Sequence, residues 1–176
     1  MLKPRPYQQE AIDAVNAHLR ERDDNPAIVL PTGAGKSLVM ALLIHHWLQA
    51  CPHFRVMVLA HRKELVEQNA EELAGVDPSL SIGVFAASLR RRETLSNVTF
   101  ASIDSVAKRA EDFPPQNVLL IDEAHRIPVR GEGKYRKFID AMTERNPGLR
   151  IVGLTATAYR MGTGAICHKD HILNNI

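Results

Sequence analysis

Four short runs of consecutive apolar residues constrain the fold of this 176-residue chain more than any other feature of its sequence. The runs are residues 27–30, 56–60, 118–121 and 151–154. Because they are apolar at consecutive rather than alternate positions, they predict parallel strands that are covered on both faces. Two weaker runs, at residues 81–85 and 98–102, predict further strands.

Helical periodicity fills the segments between these runs. Apolar side chains recur at spacings of three and four over residues 7–19, 65–73 and 135–142, which predicts amphipathic helices. Residues 36–50 are apolar nearly all round, so we expect a helix packed deep against the sheet. Strands and helices in this order imply an α/β fold with a doubly wound, mostly parallel sheet and right-handed crossovers.

Length and composition favour one soluble domain. A chain of this size is about one domain long and buries about 70% of its unfolded surface. Its two cysteines, Cys51 and Cys167, lie far apart, which predicts reduced thiols in a cytoplasmic protein. We expect no membrane partner, because the longest apolar run is too short to cross a bilayer. The formal net charge of +2 predicts no strongly basic field.

A glycine-containing segment follows the first run directly. It reads Pro31-Thr32-Gly33-Ala34-Gly35-Lys36-Ser37. Strand, loop and buried helix in this order predict a phosphate-binding loop, in which backbone N–H groups and the helix N-terminus face phosphate oxygens. Lys36 then reaches the β and γ phosphates, and Ser37 coordinates Mg²⁺. The alternative is an ordinary strand-to-helix turn, since Leu30 stands where the general pattern has Gly.

A second nucleotide signal ends the third run, where the sequence reads Asp122-Glu123-Ala124-His125. We interpret Asp122 as a ligand of Mg²⁺, directly or through water, and Glu123 as the group that orients and deprotonates the attacking water. Taken alone, such a pair is more typical of a solvated helix start, and the phosphate-binding loop favours the metal site. His125 is predicted to sense the γ-phosphate or to hydrogen-bond Thr155 or Thr157.

Together these segments resemble the first RecA-like domain of superfamily 2 helicases and translocases. The resemblance covers nearly the whole chain, and the motifs occur in the family's order. Arg5-Pro6-Tyr7-Gln8 resembles the adenine-recognition motif, which implies that Arg5 lies on the base and Gln8 hydrogen-bonds its edge. Residues 31–37 and 122–125 resemble the two nucleotide motifs, the second in its DEAH form. Residues 155–157 resemble the motif that links hydrolysis to movement of the second domain.

The resemblance also implies contacts with the nucleic-acid backbone. The segment after the second strand is similar to a family motif that makes such contacts, so His61, Arg62 and Lys63 become candidates. Ser102 ends a segment where a further contacting motif is expected. The residues in these motifs are most similar to those of RadD-like DNA-repair proteins and restriction-type DNA translocases. This resemblance favours DNA over RNA as the partner. RadD-like proteins often have Cys where this chain has Ala124.

The implied activity is ATP hydrolysis of the helicase type, with ATP and Mg²⁺ as cofactors. In this family an arginine from a second RecA-like domain completes the site, and such a residue contributes about 10³ to 10⁵ in rate. We therefore expect residues 1–160 to form the first ATP-binding domain and residues 161–176 to lead toward the second. Alone, the domain is expected to be monomeric and nearly inactive.

Three other functions compete with this interpretation. The chain could be a phosphate-loop nucleotide-binding module without a nucleic-acid partner, an RNA helicase domain, or a binding scaffold that retains inactive motifs. Other features have simple interpretations. The charge run at residues 89–93 predicts a solvated surface. Cys167, His168 and His171 are spaced too closely, and lack the second pair, for a zinc site. The periodicity places Tyr135 in the core.

Overall fold

Helices and strands alternate along most of the chain in the computed structural model, which describes residues 3–128, 133–160, 164–168 and 172–173. The helices are α1 (Pro6–Glu21), α2 (Lys36–Ala50), α3 (Lys63–Val76), α4 (Ile103–Val106) and α5 (Lys134–Arg145). The strands are β1 (Ala27–Val29), β2 (Val56–Ala60), β3 (Ile82–Ala86), β4 (Arg91–Arg92), β5 (Val98–Ser102), β6 (Val118–Asp122), β7 (Arg150–Thr155), β8 (Tyr159–Arg160) and β9 (Gly164–Ala165). Short 3-10 turns lie at Ala87–Leu89, Ala110–Asp112 and Ala124–Arg126.

The main sheet has seven strands in the order β1-β7-β6-β2-β5-β3-β4. Its strand pairs are parallel, except that β4 runs antiparallel to β3. Strands β8 and β9 form a separate antiparallel pair. The predicted doubly wound, mostly parallel sheet is confirmed, and the six predicted strands and four predicted helices are all present with small changes at their ends.

Strand β4 is the edge strand that the sequence did not predict. It lies in the charge run, and Arg91 and Arg92 pair with the end of β3. Arg91 forms an ion pair with Glu93 at 3.0 Å, and Glu93 also accepts a hydrogen bond from the backbone of Val84 at 2.9 Å. Both arginines are exposed, which agrees with the solvated surface that the charge run predicts.

The core consists of two apolar layers, one on each face of the sheet. One layer packs α1, α2 and α3 against alternate strand residues such as Val58, Leu120 and Val152. The other packs α4 and α5 against the residues between them, such as Leu59 and Ile121. Strands buried on both faces must be apolar at consecutive positions, which is the pattern that the sequence shows. Tyr135 is buried in the α4/α5 layer, as its helical register predicts. Trp47 is buried in the layer on the other face.

The parallel strands bring their carboxyl ends to one edge of the sheet, here called the carboxyl edge. The 31–37 loop follows β1, Thr155 ends β7, and the acidic pair ends β6. Since strands are about 4.8 Å apart and only β7 separates β1 from β6, the loop and the acidic pair begin about 10 Å from each other. The 61–63 segment follows β2, the next strand along.

The described residues after β8 pack against the same core. Ile166 and Leu173 are each 2% exposed within the α4/α5 layer, and the backbone N–H of Ile166 donates to the carbonyl of Ala158. A domain boundary at residue 160 stays a prediction. None of the helices in the described part of the chain has both the length and the apolar character needed to span a bilayer.

Candidate nucleotide-binding site

The loop between β1 and α2 depends on two glycines in left-handed backbone conformation. Gly33 has φ +78° and Gly35 has φ +77°, a region that side chains rarely tolerate. A Cβ atom on Gly35 would also lie 2.6 Å from Nε2 of Gln8. Gly35 is the N-cap of α2, so the helix begins directly after the loop. This is the backbone arrangement that binds phosphate groups.

The predicted adenine motif is hydrogen-bonded to this loop. Gln8 is 4% exposed, and its Nε2 donates to the carbonyl of Ala34 at 2.8 Å, while its Oε1 accepts from the backbone N–H of Arg5 at 2.8 Å. The hydroxyl of Tyr7 donates to the same Ala34 carbonyl at 3.1 Å. The side chain of Arg5 is exposed. The structure thus gives Gln8 and Tyr7 a role in holding the loop that the sequence did not indicate.

Lys36 and Ser37 begin helix α2 and are both half-buried. The ammonium of Lys36 donates to the carbonyl of Leu30 at 3.3 Å, so it lies across the mouth of the loop. Pro31, Thr32 and Gly33 are exposed, which leaves the loop backbone accessible from outside.

Asp122 lies at the end of β6 and is 6% exposed. Its Oδ2 accepts from Nδ2 of Asn69 at 3.0 Å, and its Oδ1 accepts from the backbone N–H of Glu123 at 2.9 Å. Burial raises the pKa of Asp122, and the hydrogen bond from Asn69 and the positive charge of Lys36 partly offset this effect. The 31–37 loop and the acidic pair follow β1 and β6, which only β7 separates, so the structure brings the two predicted nucleotide motifs to the same edge of the sheet.

Glu123 has a left-handed backbone, with φ 54° and ψ 49°. A non-glycine residue in this conformation costs about 1–2 kcal/mol, and such residues cluster at functional sites. Its Oε2 lies 3.2 Å from Nδ1 of His125. The Glu123 carboxylate therefore lies within ion-pairing distance of the His125 ring.

His125, Thr155 and Thr157 form a connected group, as the sequence predicts for the coupling residues. Nδ1 of His125 lies 3.1 Å from Oγ1 of Thr155. The Thr155 hydroxyl donates to the carbonyl of Thr157 at 3.1 Å and accepts from its backbone N–H at 3.2 Å. Because the hydroxyl hydrogen is used by Thr157, Nδ1 of His125 carries a hydrogen and donates to both Thr155 and the Glu123 carboxylate.

The donor set fits a magnesium nucleotide. Mg²⁺ prefers hard oxygen ligands, and in nucleotide sites it takes one or two from the protein and others from phosphates and water. The Ser37 hydroxyl and the Asp122 carboxylate are such ligands. Within the described ranges, no three His, Cys, Asp or Glu side chains are grouped to hold a metal by themselves. His171, a member of the group considered for zinc, lies outside the described residues.

The candidate nucleic-acid residues lie one strand away, after β2. Arg62 and Lys63 are exposed at the start of α3, and Ser102 is 7% exposed at the end of β5. His61 is half-buried, and both its ring nitrogens are buried without a hydrogen-bond partner among the described residues. Burial and the charges of Arg126 and Arg62 lower the pKa of His61, which favours its neutral form. The roles of these four residues stay predictions.

Asn69 is the site residue that the sequence analysis missed. The periodicity of α3 placed it among apolar side chains, as one member of a buried stripe. A lone amide on such a stripe is itself a signal, because a buried polar group must be hydrogen-bonded. Its partner, Asp122, is 53 residues away in the sequence and could not be identified from it.

Comparisons with known proteins agree with this geometry. Residues 1–160 match the type III restriction enzyme res subunit family. The chain is 30% identical over 181 residues to a Schizosaccharomyces pombe protein described as a mitochondrial ATP-dependent helicase, irc3, with 98% of this chain and 29% of that protein covered. It is 28% identical over 144 residues to the ATP-dependent DNA helicase MPH1 of Debaryomyces hansenii, with 76% and 13% covered.

Among solved structures, the UvsW helicase of bacteriophage T4 has a similar fold, with a TM-score of 0.73 and 20% sequence identity. The match covers 99% of this chain and 60% of that one. The chain spans less than a third of the length of the irc3 and MPH1 proteins.

Proposed function

The chain belongs to the type III restriction enzyme res subunit family, and from this premise we propose that it is the ATP-binding motor domain of a longer DNA helicase or translocase. It is a helicase-type domain with a RecA-like fold and is homologous to ATP-dependent helicases. The observation that carries the proposal is the meeting of two nucleotide motifs at one sheet edge, where the 31–37 loop follows β1 and the acidic pair ends β6, with only β7 between these strands.

The residues of the loop bind and orient the nucleotide. Backbone N–H groups between Gly33 and Ser37 and the ammonium of Lys36 bind the phosphate oxygens. Ser37 and Asp122 hold the cation, which when bound neutralises charge on the β and γ phosphates. Arg5 covers the base, and Gln8 joins the base end of the site to the loop through the Ala34 carbonyl.

Glu123 accepts a proton from the attacking water at its carboxylate. His125 donates from Nδ1 to the same carboxylate and to Thr155, so it restrains the orientation of Glu123. Thr155 in turn holds the backbone of Thr157, where β7 leads out of the sheet. The hydrogen bonds from Glu123 to Thr157 are our candidate for the link between hydrolysis and movement.

DNA and a second RecA-like domain of the same longer chain are the proposed partners. Arg62 and Lys63 present two exposed positive charges beside the nucleotide site, at the start of α3. Two relatives carry the names of ATP-dependent helicases, one of them a DNA helicase. We propose that the domain acts in DNA repair or restriction in the cytoplasm, and that it hydrolyses ATP slowly without the second domain.

Nucleotide binding is tested by titrating a fluorescent ATP analogue with the chain and with Lys36→Ala. We expect the affinity to fall by about 10- to 150-fold, since hydrogen bonds of a charged group contribute about 1.5–3 kcal/mol. Lys108→Ala removes an exposed lysine far from the loop in sequence and serves as the control, with unchanged affinity. Equal affinities of the chain and Lys36→Ala would contradict the proposal.

Nucleic-acid binding is tested separately with labelled duplex DNA and duplex RNA. The double variant Arg62→Glu, Lys63→Glu should weaken DNA binding and reduce its dependence on salt, because fewer counterions are released. Unchanged DNA affinity would favour the nucleotide-binding module without a nucleic-acid partner. Tighter binding of RNA than of DNA would favour the RNA helicase domain.

A further inference from the structure

Asn69 is an unusual residue for its position in helix α3. The buried side of this helix otherwise carries the apolar residues Val66, Leu73 and Val76, and Asn69 is 1% exposed among them. Burying an amide costs about 1–3 kcal/mol unless it is hydrogen-bonded. A leucine at this position would pack into the layer without this cost, so packing does not explain the amide.

The amide is directed at Asp122. Its Nδ2 donates to Oδ2 of Asp122 at 3.0 Å, and its Oδ1 is buried without a hydrogen-bond partner among the described residues. A carboxylate only accepts hydrogen bonds, so the nitrogen of the amide must be the atom that faces it. The other carboxylate oxygen accepts from the backbone of Glu123. Each oxygen of Asp122 is thus held by one donor, and the two donors come from different elements.

We propose that Asn69 is a positioning residue that orients Asp122 for Mg²⁺ and connects this ligand to the first turn of α3. The proposal rests on the proposed function, in which Asp122 holds the cation. Groups that hydrogen-bond a metal ligand fix its orientation, and their loss typically costs about 10- to 100-fold in metal affinity. Without Asn69, only the backbone N–H of Glu123 holds the carboxylate of Asp122. The carboxylate can then rotate about its Cβ–Cγ bond.

Helix α3 extends this effect toward the candidate DNA contacts. The helix begins at Lys63, and Asn69 lies about 9 Å further along its axis, at 1.5 Å per residue. A movement of Arg62 or Lys63 on binding DNA therefore reaches Asp122 through one rigid helix and one hydrogen bond. Coupling of this kind is reciprocal, so DNA must change the Mg²⁺ requirement as much as Mg²⁺ changes the DNA affinity.

The test measures binding of a fluorescent ATP analogue by the chain and by Asn69→Leu, in EDTA and over a Mg²⁺ titration. Leucine has the same branching and number of side-chain heavy atoms as asparagine and no donor. We expect the affinity in EDTA to be unchanged, because the loop and Lys36 are intact, and the Mg²⁺ concentration at half-effect to rise by about 10- to 100-fold. Leu73→Ala is the matched control, since Leu73 is buried on the same helix and its side chain has no group that could hydrogen-bond Asp122. It should lower the unfolding temperature and leave the Mg²⁺ requirement unchanged.

Each result decides the proposal. An unchanged Mg²⁺ requirement in Asn69→Leu, or an equal rise in Leu73→Ala, overturns the positioning role. If Asn69→Leu does not fold, Asn69→Ala gives the same readout, because it also lacks the donor. A chain that binds the analogue with Mg²⁺-dependent affinity while Asn69 is without effect overturns this proposal alone. A chain that binds no nucleotide overturns the proposed function as well.

The link through α3 is tested by repeating the Mg²⁺ titration with a 20-base-pair DNA duplex present. We expect DNA to shift the Mg²⁺ requirement of the chain and to leave that of Asn69→Leu unchanged. An equal shift in both proteins, or none in the unaltered chain, overturns the link.

Discussion

Asp77 and Asp122 lie at opposite edges of the same sheet, each beside helix α3, and their surroundings act on them in opposite ways. Asp77 follows the last residue of α3 and accepts from the hydroxyl of Ser79 at 2.6 Å, the backbone of Ser79 at 3.0 Å and the ring of His45 at 2.9 Å. The hydrogen bond from the Ser79 hydroxyl is the main reason why the pKa of Asp77 is lowered. Burial instead raises the pKa of Asp122.

The same contrast extends along the two edges. At the edge of Asp77, the guanidinium of Arg150 donates to the carbonyls of Leu19, Arg22 and Asp24, which lie at and beyond the end of α1. At the carboxyl edge, Glu123 is strained and the Oδ1 atom of Asn69 is buried without a hydrogen-bond partner in the described part of the chain. Nε of Arg150 is likewise buried without a partner in the described part of the chain, so what separates the two edges is the strained backbone of Glu123, a feature typical of functional sites.

The largest expected effect on stability is at the edge of Asp77. Arg150→Met keeps much of the side-chain stem but removes three hydrogen bonds, so we expect urea unfolding to show a loss of about 2–4 kcal/mol. Arg145→Met removes one bond, to the carbonyl of Phe113, and should cost about 1 kcal/mol. Nucleotide affinity should not change in either variant. A loss of affinity in Arg150→Met that matches its loss of stability would break the contrast between the edges.

Gly153 tests whether the carboxyl edge also contains a position that is critical for stability. A Cβ atom there would lie 2.6 Å from Leu173 and 2.8 Å from Cβ of Ala124, so Gly153→Ala should cost about 1–3 kcal/mol. The control is Gly75→Ala in α3, where the added Cβ meets nothing within 4 Å and helix propensity favours Ala by about 1 kcal/mol. The unfolding temperature should therefore fall in Gly153→Ala and rise in Gly75→Ala. A Gly153→Ala chain as stable as the unaltered one would contradict the close packing of Leu173 and Ala124 against Gly153.

Asp77→Asn weakens the hydrogen bonds of a charged acceptor, and we expect a loss of about 1 kcal/mol at pH 7. Because the pKa of Asp77 is lower in the folded than in the unfolded chain, its charge stabilises the fold above the ordinary value of 3.8. That stabilisation disappears as the pH falls through the lowered value. Between pH 7 and pH 5 the difference between the two proteins should therefore stay constant in chemical unfolding. A difference that shrinks over this range would be evidence against the prediction.

Asp122→Asn should give the smallest change, and in the opposite direction. The pKa of Asp122 is higher in the folded chain, so its charge destabilises the fold at pH values above that raised pKa. The variant should be slightly more stable at pH 7 in EDTA, since the amide of Asn69 can turn to keep one hydrogen bond. As the pH falls from the raised pKa toward 3.8, this advantage should vanish. Lower stability of Asp122→Asn at pH 7 would show that its charge is compensated in the fold.

Much of the fold could be predicted from the sequence because strand burial is a local pattern. Consecutive apolar residues identified β1, β2, β6 and β7, and the predicted order of strand, glycine loop and helix is present at β1 and α2. Strand β4 was not predicted, because two arginines in a charge run become a strand only through pairing with the end of β3. The short helix α4 has too few residues to show a periodicity.

The candidate site divides in the same way. The sequence by itself determined which residues are proposed to carry the chemistry, since Lys36, Ser37, Asp122 and Glu123 were predicted from their neighbours in the chain. Only the tertiary structure decided which side chains hold them in place. Gln8 meets Ala34 across 26 residues and Asn69 meets Asp122 across 53, whereas Thr155 is one of the two partners that the sequence predicted for His125. The bond between Asn69 and Asp122 depends on β6 and β2 being neighbours in the sheet, which no local pattern of residues specifies.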